Sequence, residues 1–213
     1  MGFSEGDIKM TQRAGIILGL VPLLALLAYP VRAEVQPTTT STTTYYNYAH
    51  NDAEYSVKLP EAPTVETIWG GVGPVPYLDK VPSDGPLGEI ATFKRIDIET
   101  EDSFFVKVTF LKVSRSFLED LTEKKLKTIL ESKYKDFPLN KETFTFSAGT
   151  DSLKWATLTG FTLDKNNSHS FNAIHYLTGQ QTILVLEVVY SIENKLFQEY
   201  YQNLIDSIKY HPI

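Results

Sequence analysis

The chain has 213 residues, of which 20 are basic and 26 acidic, giving a formal charge of −6, and 42% of it is apolar. A net acidic chain with no Lys/Arg stripe repels phosphate backbones, so nucleic acid and anionic membrane surfaces are disfavoured as partners. It contains no cysteine, which rules out disulfides, thiolate metal sites and thiol nucleophiles.

Residues 1–33 have the layout of a secretory signal peptide. Lys9 and Arg13 precede an apolar run from Ala14 to Ala28, and small Val31 and Ala33 stand just before Glu34. The run is shorter than the roughly 20 residues a membrane-spanning helix needs, and Pro22 interrupts it. Export to the periplasm or the medium is expected. The alternative is an uncleaved signal that tethers the domain to the membrane. Residues 34–53, centred on the hydroxyl run Thr38–Thr44, have no apolar face and read as a Thr-rich disordered tether. Tyr45, Tyr46 and Tyr48 interrupt that character and are able to dock back on the domain.

Residues 54–213 read as a single domain. Tyr55–Leu59 alternates like a half-buried strand and is stopped by Pro60. Thr64–Trp69 forms a second short strand. Gly70–Gly88 holds Pro74, Pro76, Pro82 and Pro86 among five glycines, a density of breakers that predicts a long loop. Glu89–Ile98 and Ser103–Val113 follow as strands, and Phe104, Val106, Val108 and Phe110 share one face of the latter. Ser116 and Glu119 fit a capping box that opens a helix to about Lys135. Leu118, Leu121, Leu126, Ile129, Leu130 and Tyr134 are its apolar stripe.

Lys141–Ser147, Leu153–Leu163, Ser170–Leu177 and Thr182–Ser191 then read as a meander joined by short polar turns. Thr182–Tyr190 is apolar on both faces, as a central strand covered on both sides should be. A second amphipathic helix spans about Ile192 to Lys209, with Leu196, Phe197, Tyr200, Leu204, Ile205 and Ile208 at helical spacing. The order is β-β-β-β-α-β-β-β-β-α. The expected class is α+β: an antiparallel β-sheet with one helix on each face, an α/β/α sandwich.

With the opening Tyr55-Ser56-Val57-Lys58-Leu59-Pro60 and the closing Tyr201–Ile208 helix, this layout resembles the PsbP-like α/β/α sandwich group, which includes DcrB-like bacterial periplasmic proteins. The resemblance covers about Tyr55–Tyr210. It implies a small exported domain that binds or assists something and has no catalytic centre, and it hands over no site residues. A plain secretory signal, the absence of a twin-Arg pair and the Thr-rich segment point away from a photosystem role.

The chemistry-bearing residues are scattered. His50, His169, His175 and His211 lie far apart, so no metal site and no cofactor are expected. Ser168, His169 and Asp164 are neighbours in a turn, and the chain has no Gly-x-Ser-x-Gly elbow. Asn166-Asn167-Ser168 matches a glycosylation sequon. Glu187 on the two-sided strand is a buried-carboxylate suspect, whose burial would raise its pKa; the alternatives are that it snorkels at the strand's edge or pairs with a lysine. In the Gly/Pro loop, Trp69, Val75, Tyr77 and Leu78 either staple the loop to the sheet or form a lip for a partner or ligand. These features give an exported, non-enzymatic binding or accessory domain whose partner is a protein or small ligand of the cell envelope. The competing reading is a small periplasmic hydrolase or ligand-handling enzyme with dispersed residues.

Overall fold

The computed structural model describes residues 46–49, 54–71, 75–78, 85–136, 138–149, 153–163 and 169–212. All belong to the second of two units, residues 42–213. The signal, the hydroxyl run, His50 and the Asn166 sequon lie outside the described residues.

Strand β9 (Thr182–Ser191) organises the fold because both its faces are apolar. Its Leu184, Leu186, Val188 and Tyr190 enter one core, while Ile183 and Val185 enter the other. It is the central strand of a seven-stranded antiparallel sheet in the order β3-β4-β5-β9-β8-β7-β6. The flanking strands are β3 (Thr64–Gly70), β4 (Gly85–Ile96) and β5 (Ser103–Lys112) on one side. On the other are β6 (Asn140–Ala148), β7 (Lys154–Leu163) and β8 (His169–Thr178). Strand β5 pairs with β9 so that Phe104 faces Tyr190 and Lys107 faces Glu187. The predicted apolar face of β5 lies in the first core.

The two faces are covered differently from the expected single helix each. One carries α1 (Arg115–Glu119) and α2 (Glu123–Ser132), whose Leu118, Leu126 and Leu130 pack on Leu158, Ile174 and Tyr176. The other carries α3 (Lys195–Asp206) together with a three-stranded antiparallel sheet of β1 (Tyr46–Ala49), β2 (Tyr55–Leu59) and β10 (Lys209–Tyr210), in the order β1-β2-β10. Phe197, Tyr200 and Leu204 of α3 meet Val57 and Leu59 of β2 in the first core. Burial of about 25 cal/mol per Å² of apolar surface on each face supplies the main drive for this arrangement. No described helix is long and apolar enough to cross a membrane.

Four local expectations are corrected. The predicted helix from Ser116 is two helices, because Ser114 caps the first through Phe117 N and Thr122 caps the second through Lys125 N. Each hydroxyl satisfies an amide that helix geometry leaves open, so Ser116 and Glu119 form no capping box. Lys154 Nζ donates to the Leu118 carbonyl at 2.6 Å near the break. The predicted loop to Gly88 is already strand from Gly85. Pro86 falls where the β3–β4 register shifts, a site that tolerates a missing amide. At Gly88 a Cβ would run into the Phe110 carbonyl.

The tether assigned to residues 34–53 contains β1, whose Tyr48 is buried against Phe110 and donates to Glu89 at 2.8 Å. The closing helix is shorter than expected at both ends. Asn194 caps it through Leu196 N, and the chain turns at Ser207 into β10, which pairs with β2.

Candidate functional site

Pro76, Tyr77 and Leu78, between β3 and β4, face α2 across a cleft of about 400 Å³, lined also by Lys107, Thr128, Ile129, Ser132 and Lys133. Each wall has a local cause. Val75 is buried with Leu87, Leu111 and Leu118, which pins the loop. The loop residue Tyr77 takes a positive φ of 65°, a conformation that costs a non-glycine residue energy and persists only when its surroundings hold it. Helix α2 turns Thr128, Ile129 and Ser132 towards the loop, and Lys133 caps its C-terminus.

Beneath the cleft lies the carboxylate of Glu187, only 7% exposed. It forms ion pairs with Lys107 from the neighbouring strand and with Lys133 at 2.9 Å. Burial raises its pKa, but Lys107, Tyr77 and Lys133 outweigh burial and hold the carboxyl below its usual range. The Tyr77 hydroxyl sits beside this carboxylate, close enough to act on it but without a well-formed hydrogen bond. Burial first, then the Glu187 charge, raises the Tyr77 and Tyr134 pKa values, so both phenols stay neutral. Lys107 Nζ stands 5.9 Å from the centre of the Tyr77 ring, within reach of cation–π attraction.

Of the four sequence candidates, only Tyr77 and Leu78 come together here. Val75 is in the core, and Trp69 on β3 is 57% exposed and lines no part of the cleft. Of the readings of Glu187, pairing with a lysine is present, and Lys133 adds a second partner from another element that spacing could not reveal. The rise in pKa expected from burial is overturned, because these partners outweigh it.

Two further polar centres are structural. Glu54 is buried at the β8–β9 turn, where it accepts from the amides of Gln180 (2.8 Å), Gln181 (2.9 Å) and Thr182 (3.0 Å) and from the Thr182 hydroxyl (2.8 Å). Burial raises its pKa, and these donors more than reverse the effect. His175 is buried with Nδ1 accepting from Trp155 Nε1 at 3.4 Å and within 3.0 Å of Thr157 Oγ1. An indole N–H can only donate, so the ring proton is on Nε2, which donates to the Tyr201 hydroxyl at 3.0 Å. Burial pushes the His175 pKa down to about 4. Among the described residues no three His, Cys, Asp or Glu side chains are grouped to hold a metal ion.

The architecture is an α+β sandwich with a loop-covered cleft on one face. No protein-family profile matches the sequence, and no curated protein matches it. Among solved structures, the chain is similar to the cyanobacterial PsbP (CyanoP) from Synechocystis sp. PCC 6803, at 11% identity and a TM-score of 0.45. The match covers 81% of this chain and 96% of that one.

Proposed function

We propose that this chain is an exported accessory domain that binds a ligand rather than transforming it, and that the ligand enters the cleft between the Tyr77 loop and α2. The observation that carries this reading is the pairing of Glu187 with Lys107 and Lys133 beneath apolar walls. A carboxylate held ionised by two ammonium groups is a poor proton donor and a poor nucleophile, whereas a cleft with apolar walls and a few fixed polar groups suits binding. The volume of about 400 Å³ falls within the usual range for small-molecule sites, about 300–1,000 Å³. Export rests on the signal-like sequence of residues 1–33.

The test is an NMR screen of a fragment library with anionic, neutral and cationic members. Binders should perturb the amides of Tyr77, Leu78 and residues 128–133. Perturbation confined to the hollow between Trp155, Ile208 and Tyr210 would overturn the assignment of the cleft.

A further inference from the structure

We infer that the cleft selects a small organic monoanion with an apolar body, of the carboxylate class, whose head rests on Lys133 and Lys107. The inference deepens the binding role proposed above and rests on it. Charge comes first. Among the described cleft-lining residues the only charged side chains are Lys107 and Lys133, and the described carboxylate paired with them is Glu187. Among these described groups, two positive charges against one negative leave a single positive charge at the cleft. The nearest acidic residue on the same helix, Glu131, is engaged by Lys127 at 3.5 Å.

Access comes second. The Lys133 side chain is 43% exposed and that of Lys107 is 20% exposed, so an incoming anion can reach both without first breaking the pairing below.

The hydroxyl groups narrow the class further. Thr128 Oγ1 donates to the Lys124 carbonyl at 3.0 Å, and Ser132 Oγ donates to the Ile129 carbonyl at 2.7 Å. Their protons are committed to the helix, so they present lone pairs to the cleft. A doubly charged phosphate needs more donors and more positive charge than remain. A carboxylate matches the single excess charge and can take its donors from the lysines. Pro76, Leu78, Ile129 and the Tyr77 ring then cover an apolar body.

The discriminating experiment titrates the full chain with octanoate, its neutral isostere octanamide, and octyl phosphate, following binding by calorimetry and the site by amide shifts. Octanoate should bind at least tenfold more tightly than octanamide and more tightly than octyl phosphate. Lys133→Gln should abolish the preference for octanoate over octanamide while leaving the urea midpoint nearly unchanged, and Lys133→Arg should retain the preference. Equal binding of octanoate and octanamide at Tyr77, Leu78 and residues 128–133 would overturn the anion assignment and leave the binding cleft standing. Tighter binding of octyl phosphate, failure of octanoate to bind, or a preference that survives Lys133→Gln would also overturn it. Shifts confined to other residues would remove the cleft assignment itself.

Discussion

The carboxylate of Glu54 occupies the space that a side chain at Gly179 would need, so the residue immediately before β2 and the turn between β8 and β9 fit each other as a buried pair. Glu54 lies 128 residues before Thr182, and its bonds to that turn join the small sheet to the large one. The His211 amide also donates to the Glu54 carbonyl at 2.7 Å, so the end of the chain is fastened at the same point.

Gly179→Ala should therefore displace the Glu54 carboxylate from its amide donors. Losing satisfied partners for a buried charged group costs about 1–3 kcal/mol or somewhat more. In a Glu54→Ala background the same glycine substitution should cost only a few tenths, because the clash is gone. Urea denaturation of the four proteins as a double-mutant cycle measures the coupling. Additive effects would show that the two residues do not meet.

His175 makes stability depend on pH in a defined window. Its folded pKa of about 4 lies below the ordinary histidine value of 6.5. As pH falls from 6.5 to 4 the unfolded chain takes up a proton that the folded chain refuses, so stability falls through that window and its His175 component is constant above and below it. The shift corresponds to about 3 kcal/mol at most. Urea midpoints of the parent and of His175→Gln, taken at intervals from pH 7.5 to 4, should converge as the pH is lowered. Glu54, whose folded pKa is lowered, loses its stabilisation as pH falls through that value in both proteins and cancels in the difference. Parallel pH profiles would contradict a buried neutral His175.

The two lysines on Glu187 should be unequal. Lys107 is the more buried partner, and Lys107→Met leaves a buried carboxylate short of its closer charge, at about 3–5 kcal/mol. Lys133 is more exposed, and solvent screening limits Lys133→Met to about 1 kcal/mol or less. Chemical denaturation at neutral pH ranks the two, and an inverted order would place the supporting charge on α2 instead of β5.

Helix α3 should be asymmetric in the same assay. Leu204 is buried at 1% exposure, and Leu204→Ala should cost about 2–5 kcal/mol through lost burial and the cavity left behind. Gln202 points outward, where its amide reaches Asp206 at 2.9 Å, and Gln202→Ala should cost less than about half a kcal/mol. Equal midpoints would mean that α3 does not cover the sheet as described.

The strands of the large sheet were legible in the sequence because their apolar residues repeat every second position over ten residues or so. The pattern over Thr182–Ser191 coincides with the observed limits of β9, and its two apolar faces require cover on both sides. Ile205 shows the resolution of such reading: helical spacing placed it on the buried face with Leu204, and it packs only partly at the edge of that core. The helix break at Asp120–Thr122 was missed because Leu118, Leu121 and Leu126 keep a plausible stripe through it. Two local caps, at Ser114 and Thr122, decide the matter. At the candidate site, the lip residues Tyr77 and Leu78 and the suspect Glu187 were each visible alone, and nothing in their spacing joined them.

By itself, the sequence determined the class of fold, the order of most strands, the signal-like start and the exclusion of thiol chemistry, because periodicity, composition and missing residue types act locally or by count. Only the tertiary structure decided that Lys107 and Lys133 converge on Glu187, that Glu54 seats in a turn 128 residues away, and that short β1 and β10 flank β2. Those outcomes depend on which faces meet once apolar surface is buried, and a two-residue strand or a single carboxylate has no periodicity from which its partner can be read.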